Sequence, residues 1–230
     1  NLTMRKMSEK EYPFIDYSCE TYSPEEMITR SRSFYEWADE RRSVRDFSDK
    51  PVPKEVMVNI LMTGSSAPSG AHKQPWTFCL ISNASLKSKL RALAEEEEKK
   101  SYGGRMSDEW LEDLAPLGTD WHKEFIDIAP WIVIVMKRAY EVQKDGSKRQ
   151  NYYVSESVGL AAGFLLMAVH NAGLVALTHT PSPMNFIAKA LNRPENERPF
   201  LLIPVGYPSD SARVPDILRK SKEQVIDYYD

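Results

Sequence analysis

The sequence is poor in cysteine and carries no excess of positive charge. Its 230 residues include only two cysteines, Cys19 and Cys79, which form no CxxC pair. Neither a disulfide framework nor a zinc site is supported, so a reducing compartment is expected. The formal net charge of −3 argues against a nucleic-acid binder, because such proteins are usually strongly basic overall. Any site for an anion must therefore be local.

Long hydrophobic runs are also missing. The longest apolar run, Val158 to Val169, has 12 residues, whereas a helix that spans a bilayer needs about 20. The first residues contain no apolar stretch typical of a signal peptide. We expect a chain that is cytoplasmic or soluble as given, and the sequence leaves open a membrane anchor upstream of residue 1.

Several well-known catalytic and nucleotide-binding motifs are absent. The sequence has no GxGxxG or GxxxxGK[ST] loop, no GxSxG elbow and no HExxH pair. The four histidines lie in separate contexts without the spacing of metal ligands, so we predict no metal site. Structural roles are expected for two of them, His122 and His170.

The pattern of helices and strands predicts an α+β fold. Hydrophobic residues make up 42% and charged residues 27% of the chain, as in ordinary globular proteins. Helices are predicted near residues 24–40, 53–64, 86–100, 152–170 and 184–191, and strands at 76–82, 131–136, 174–180 and 199–208. Since helices outnumber strands and the strands are spread through the chain, we predict a small mixed central sheet covered by helices.

The chain divides into an extended N-terminal arm, residues 1–24, and one domain, residues 25–230. The arm mixes proline, tyrosine, serine and charge without a clear period. Within the domain, a polar stretch with glycines and aromatics predicts a mobile substrate lid at about residues 95–125. Its first glutamates, Glu95 to Glu97, are expected on a solvated helix face. The basic segment 144–150 is interpreted as a connector.

Three groups of residues suit a bound flavin mononucleotide, FMN. Arg41, Arg42, Ser43 and Arg45 concentrate guanidinium groups that match phosphate geometry, although a solvated surface patch is the alternative. The small residues of segment 65–76 let the backbone approach a flat ligand, although a plain connecting loop is the alternative. Hydroxyl groups at a predicted strand end, on Thr178 and Thr180, complete the set.

A series of motifs carries a family resemblance. In order they are RRSVRDF, APSGAHKQPWTF, EEEExxxYxxRM, WHKEF, NAGLVALTHTP, PVGYP and DILRK. Over about residues 25–222 they resemble the nitroreductase-type flavoproteins, most of all the iodotyrosine deiodinase branch, whose enzymes remove halide from halogenated tyrosines. The EEEExxxY segment together with WHKE is the discriminating part.

The resemblance implies a flavin site. The phosphate and the polar edge of the ring are expected to contact Arg41, Arg42 and Arg219. The full implied set is Arg41, Arg42, Ser43, Val44, Arg45, Pro68, Ser69, Gly70, Thr178, Thr180 and Arg219. Thr180 is the implied catalytic residue, because its hydroxyl is expected to hydrogen-bond flavin N5. The resemblance does not define a role for His179, which lies between the two threonines.

The resemblance also implies a substrate site in the lid. Glu98, Tyr102 and Lys123 are expected to bind the amino acid portion of the substrate, and the Ala71 backbone N–H the phenolate oxygen. The residues themselves agree, because Glu98 and Tyr102 are four apart and share a helix face. A carboxylate and an ammonium are also what a zwitterion requires. The implied reaction is reductive dehalogenation of mono- and diiodotyrosine to tyrosine plus halide.

The resemblance further implies a homodimer with the flavin at the subunit interface, where the apolar helix 152–170 is expected to lie. It implies NAD(P)H as the reductant, used directly or through a reductase.

Two other functions stay open. A general NAD(P)H-dependent nitroreductase or quinone reductase of the same superfamily would need the arginines but not Glu98, Tyr102 and Lys123. A non-catalytic halotyrosine or flavin binding protein would bind the ligand without turnover.

Overall fold

The structure is a computed structural model that describes residues 12–229. Within that range the helices are α1 (Pro24–Asp39), α2 (Lys54–Ser65), α3 (Ala84–Lys100), α4 (Asp108–Leu114), α5 (Phe125–Ile128), α6 (Val154–Asn171) and α7 (Asn185–Ala190). The strands are β1 (Trp76–Ile81), β2 (Trp131–Arg138), β3 (Tyr140–Val142), β4 (Lys148–Gln150), β5 (Val175–Ala176) and β6 (Glu197–Gly206).

The described residues fall into two compact units, one ending at Trp37 and the other beginning at Ala38. In the first unit, residues 12–23 have no regular secondary structure and are mostly exposed. Helix α1 follows and contains no buried residue. The predicted arm at residues 1–24 stays a prediction, since residues 1–11 lie outside the described residues.

The second unit is built on a four-stranded sheet in the order β1-β2-β6-β5. Its three strand pairs are all antiparallel. A parallel component enters through a single bridge between Ser43 and Ala176, the one parallel bridge among the described residues outside the named strands. The predicted α+β class is confirmed, and the sheet is mixed only through that bridge.

Helices cover both faces of this sheet. Alternation along β2 sends Val133 and Val135 into one core and Ile132 and Ile134 into the other, because successive strand side chains point to opposite faces. The first core is closed by α2 and α6. The second is closed by α3, α5 and α7. The sheet therefore separates two apolar layers.

The segment predicted as a basic connector is a hairpin, so that interpretation is wrong. Strands β3 and β4 pair across the turn at residues 143–147. Gly146 has a φ of 80°, and the Asp145 carboxylate accepts the Ser147 backbone N–H at 2.9 Å. Aspartate followed by glycine is a strong hairpin signal. The basic composition of the segment hid that signal.

The strand predicted at residues 174–180 is shorter than expected. Only β5, two residues long, pairs continuously with β6. The chain returns to the sheet at His179, whose backbone exchanges two hydrogen bonds with Leu202 at 2.8 and 2.9 Å. This interruption leaves Thr178 and Thr180 exposed on either side of a fixed His179.

Helix α6 buries one side and exposes another. Val158, Ala161 and Leu165 belong to the core with α2, whereas Leu160 and Phe164 are 48% and 41% exposed. Its expected position at a subunit interface stays a prediction. Among residues 12–229, no helix is both long and apolar enough to cross a bilayer.

Candidate active site

The arginine stretch is fixed along the edge of the sheet. Ser43 bridges Ala176, and the Val44 backbone N–H donates to the Ala176 carbonyl oxygen at 3.1 Å. Val44 is buried and lines a cavity of about 260 Å³ together with Arg41 and Arg42. Six of the residues predicted to bind FMN line a second cavity of about 370 Å³, namely Arg41, Arg42, Ser43, Arg45, Thr178 and Arg219.

This cavity concentrates positive charge. Among the described residues that line it there are four arginines and no acidic residue. Burial, together with the neighbouring Arg219 and Arg42, holds the pKa of Arg41 below its ordinary value. Arg219 is oriented by a hydrogen bond to the Arg41 carbonyl oxygen at 2.9 Å and by an ion pair with Asp39 at 3.2 Å. Crowded guanidinium groups without a carboxylate in the cavity are stabilised by a bound anion, so the residues present fit a phosphate-bearing cofactor.

The predicted flavin-flanking loop adopts an unusual backbone. Three residues other than glycine have positive φ angles, namely Ala71 (49°), His72 (52°) and Gln74 (47°). Such angles are uncommon outside glycine and are often found at functional sites. Ser69 stabilises the loop by accepting the Gln74 backbone N–H at 2.9 Å. The Ala71 N–H has no acceptor among the described residues, so it is free to donate to a ligand.

The same loop packs on the N-terminus of α6. The Gly70 backbone N–H donates to the Ser157 hydroxyl at 3.2 Å. A Cβ atom at Gly70 would lie 2.8 Å from Cδ2 of Tyr153, so only glycine fits there without displacing the ring. The predicted loop residues, Pro68 to Ala71, are not among the described residues that line the arginine cavity. The structure therefore does not bring all the predicted flavin residues together within one chain.

Glu98, Tyr102 and Lys123 do come together. The Glu98 carboxylate lies 3.5 Å from Nζ of Lys123, and the two residues are 7% and 2% exposed. Nζ of Lys123 also donates to the Asp120 carbonyl oxygen and lies 5.8 Å from the centroid of the Tyr102 ring. The Tyr102 hydroxyl donates to the Thr119 carbonyl oxygen at 3.2 Å.

Burial acts against the charges of this cluster. It raises the pKa of Glu98, opposed by Lys123, and it lowers the pKa of Lys123, opposed by Glu98. Burial also raises the pKa of Tyr102. Each of the two buried charges thus depends on the other for compensation. A ligand that carries both an ammonium and a carboxylate could supply each with a partner.

The cluster adjoins the arginine cavity through Arg45. This residue lines that cavity and also a neighbouring one of about 300 Å³, together with Thr119, Asp120 and His122. Burial lowers the pKa of Arg45, and Tyr102 and Asp46 oppose that shift. Arg45 therefore links the arginine cavity to the cluster of Glu98, Tyr102 and Lys123.

His179 lies partly buried at the same place, which the sequence did not indicate. Its ring meets Phe125 edge-on at 5.6 Å between centroids, and its Nε2 atom has no hydrogen-bond partner among the described residues. Burial, with Lys123 and Arg45 nearby, lowers the pKa of His179 to about 3, so the imidazole is neutral. Thr180 is exposed and is not among the described residues that line the arginine cavity.

The expectation of a solvated glutamate face holds for Glu96 but is wrong for Glu95 and Glu97. The Glu96 side chain is 64% exposed, whereas those of Glu95 and Glu97 are 17% and 19% exposed. The Glu95 carboxylate accepts Nε–H of Arg91 and the backbone N–H of Lys123, both at 2.8 Å. The spacing of Arg91 and Glu95 could have indicated the first contact, but nothing local indicates the second.

Comparison with known proteins shows the family to which this chain belongs. Residues 38–207, well over half of the chain, match the model of the nitroreductase family. The chain belongs to the nitroreductase family. This membership agrees with the α+β fold and with a cavity suited to an anionic cofactor.

Two relatives are similar to this chain over nearly its whole length. An iodotyrosine deiodinase from Haliscomenobacter hydrossis is 60% identical over 216 residues, covering 94% of this chain and 97% of that protein. Iodotyrosine deiodinase 1 of Homo sapiens is 42% identical over 220 residues, covering 95% of this chain and 76% of that protein.

A solved structure supports the same relationship. It is an oxidised iodotyrosine deiodinase bound to FMN and 3-iodo-L-tyrosine. The match has a TM-score of 0.73 and 31% sequence identity, and it covers 85% of this chain and 98% of that one.

Proposed function

We propose that this protein is an FMN-dependent reductive dehalogenase that converts mono- and diiodotyrosine to tyrosine plus halide. The observation that carries the proposal is the buried pair of Glu98 and Lys123, with Tyr102 beside it, next to a cavity rich in arginine. A nitroreductase without an amino acid substrate has no use for that pair. The similarity to proteins named iodotyrosine deiodinase supports the same function.

The cofactor site would be formed mainly by the arginine cavity. Arg41, Arg42 and Arg219 would hold the FMN phosphate and the polar edge of the ring, since guanidinium forks match both kinds of oxygen acceptor. Thr178 lines the same cavity, and Thr180 would donate its hydroxyl to the ring. When bound there, FMN supplies the two electrons of the reaction.

The lid would bind the zwitterion by replacing the ion pair between Glu98 and Lys123 with ion pairs to the substrate. In the described structure Glu98 and Lys123 neutralise each other. The substrate ammonium would form an ion pair with Glu98, and the substrate carboxylate would form one with Lys123. Neither buried charge is then left unpaired. The Tyr102 ring, whose centroid lies 5.8 Å from Nζ of Lys123, would line the bound amino acid, and the closed lid would exclude water from the flavin ring.

The phenolate end of the substrate would be held by the free backbone N–H of Ala71. A donor at that oxygen favours the ionised phenol. The overall reaction adds two electrons and one proton to the halotyrosine, forms a C–H bond in place of the carbon–halogen bond, and releases halide.

A homodimer would complete the site. Within one chain, the loop that carries Ala71 packs on α6 and does not line the arginine cavity. The exposed Leu160 and Phe164 on α6 offer an apolar surface for a second copy. A second chain would then bring its loop to the first chain's cavity. NAD(P)H, directly or through a reductase, is the proposed source of electrons.

Chemical reduction of the purified, FMN-loaded protein tests the function. The protein is reduced with dithionite under anaerobic conditions, 3-iodotyrosine is added, and iodide and tyrosine are measured. We expect both products in equal amounts, limited to one turnover for each reduced flavin when no reductant remains.

The two alternative functions give different results. A general nitroreductase or quinone reductase would turn over nitroaromatics or quinones and release no iodide from iodotyrosine. A non-catalytic binding protein would bind iodotyrosine, release no iodide and leave the flavin reduced. Either result would contradict the proposal.

A further inference from the structure

Glu95 links helix α3 to the main chain at Lys123. One of its carboxylate oxygens accepts both the Arg91 Nε–H and the Lys123 backbone N–H, each at 2.8 Å. Its side chain is 17% exposed, and it does not contact the charged end of Lys123 in any described hydrogen bond. We propose that Glu95 is a positioning residue, which fixes the backbone at Lys123 so that Nζ is held ready for the substrate carboxylate. This inference rests on the proposed function of the same site.

The hydrogen bond from Lys123 to Glu95 is one of several contacts that attach α3 to α5 and the residues around it. Arg91 reaches past Glu95 to Asp127 at 2.9 Å. Lys87, which is 7% exposed, donates from Nζ to the Asp127 and Ala129 carbonyl oxygens, both at 2.8 Å. These contacts fix α5 on α3. Glu95 extends the attachment to Lys123, just before α5 begins.

The hydrogen bond from the Lys123 backbone N–H to Glu95 is charge-assisted. Burial alone would raise the pKa of Glu95, but the hydrogen bonds from Arg91 and from the Lys123 N–H lower it below its ordinary value, so the carboxylate is ionised at neutral pH. Hydrogen bonds to an ionised acceptor are stronger than those between neutral groups. A backbone held in this way cannot shift without breaking a charge-assisted bond.

The contact is also specific to one end of the substrate. Glu95 positions Lys123, which would bind the substrate carboxylate, whereas Glu98 would bind the ammonium. Loss of Glu95 should therefore weaken ligands that carry a carboxylate and have less effect on ligands that do not. A general loss of stability would weaken both kinds of ligand equally.

The neighbouring Glu96 provides a matched control. It lies on the same helix, its side chain is 64% exposed, and its described ion pair is with Lys100 at 2.8 Å on the surface. Replacing it with alanine removes the same number of atoms and the same charge. The two changes differ in that only Glu95→Ala removes the contacts to the Lys123 backbone and to Arg91.

The test measures binding to the oxidised, FMN-loaded protein. Glu95→Ala, Glu95→Gln and Glu96→Ala are titrated with 3-iodotyrosine, and flavin fluorescence or absorbance reports the occupancy. We expect Glu95→Ala to raise the Kd about tenfold or more, because a charge-assisted hydrogen bond is lost. Glu95→Gln should stay within about threefold, since its amide oxygen still accepts the N–H, and Glu96→Ala should match the unmodified protein. FMN affinity should be unchanged in all three.

A second ligand separates positioning from stability. 3-Iodotyramine keeps the iodophenol and the ammonium but lacks the carboxylate. Glu95→Ala should weaken iodotyrosine at least threefold more than iodotyramine. Equal losses for the two ligands, or equal losses for Glu95→Ala and Glu96→Ala, would overturn the positioning role. If Glu95→Ala does not fold, Glu95→Asp replaces it with the same expectations, because its shorter side chain withdraws the oxygen from Lys123.

The outcomes also distinguish a failure of the positioning role from a failure of the proposed function. If the unmodified protein does not bind iodotyrosine, the proposed function is wrong and the positioning role falls with it. If the unmodified protein binds iodotyrosine and Glu95→Ala binds it equally well, only the positioning role is wrong. In turnover with iodotyrosine, we expect KM to rise in Glu95→Ala while kcat changes less than twofold.

Discussion

At the scale of single residues, the charges of Glu98 and Lys123 are the most constrained. Both are almost completely buried, and they are paired at 3.5 Å. Removing one partner of such a pair costs about 2–5 kcal/mol because the other charge stays buried without compensation. Their position is therefore suited to exchanging partners with a zwitterion rather than to stabilising the fold alone.

Glu98→Gln should weaken 3-iodotyrosine binding at least tenfold and leave FMN bound. The reason is that an amide cannot neutralise the substrate ammonium, whereas the arginine cavity does not include Glu98. Isothermal or flavin-fluorescence titration of the FMN-loaded variant measures the change. Joint loss of FMN and iodotyrosine, or an unchanged Kd, would contradict the separate roles of lid and cavity.

His179 should make the protein sensitive to acid. Its pKa falls from 6.5 to about 3 on folding, mainly through burial, so between these values the unfolded chain binds a proton that the folded chain does not. Stability should therefore be lost as pH falls from 6.5 towards 3, by up to about 1.4 kcal/mol per pH unit. Urea unfolding at pH 7 and pH 5 should show a smaller loss for His179→Leu than for the unmodified protein. Parallel losses would contradict the assignment.

At the scale of elements, the C-terminal end of β6 supports the arginine stretch. Phe47 bridges Pro208, and the Ser209 backbone N–H donates to the Asp46 carbonyl oxygen at 2.9 Å. Gly206 lies just before this contact. A Cβ atom there would lie 2.5 Å from Cδ of Pro130, which is too close to be accommodated without movement.

Gly206→Ala should lower the free energy of unfolding by about 1–3 kcal/mol through overpacking. It should also weaken FMN retention, because the displaced strand end carries the contacts to Asp46 and Phe47. Thermal unfolding and flavin release measure the two effects. Gly103→Ala is the control, since a Cβ atom at Gly103 meets no atom within 4 Å. A similar result for both variants would show that packing at β6 is not the cause.

At the scale of the whole molecule, the proposed homodimer follows from a site that one chain does not complete. Among the described residues, those of the loop at Ala71 do not line the arginine cavity, and α6 exposes Phe164. Phe164→Glu places a charge on that apolar face and should weaken dimerisation at least tenfold, with loss of FMN. Val142→Glu, at a residue 60% exposed on the β3–β4 hairpin, is the control. Sedimentation of both variants measures the change, and a Phe164→Glu protein that stays dimeric would rule out this face.

Local sequence patterns predicted most of the helices and strands and the chemical types of the site residues, but not the β3–β4 hairpin or the short length of β5. Most helices, the buried strands and the arginine stretch follow from local patterns, because capping, periodicity and donor type act over a few residues. The spacing of Glu98 and Tyr102 likewise indicated one helix face. The Asp145-Gly146 turn is also a local signal, because an Asp-Gly pair predicts a hairpin.

Which of the predicted site residues come into contact depends on the tertiary structure. Tertiary packing pairs Glu98 with Lys123, attaches Glu95 to the Lys123 backbone and buries the Nε2 atom of His179. It also leaves the described loop residues at Ala71 out of the lining of the arginine cavity. Each of these results depends on contacts between segments distant in sequence, and the burial that shifts a pKa exists only after those segments pack. Local patterns carry no information about such contacts, so the sequence named the residues while the packed fold assigned their partners.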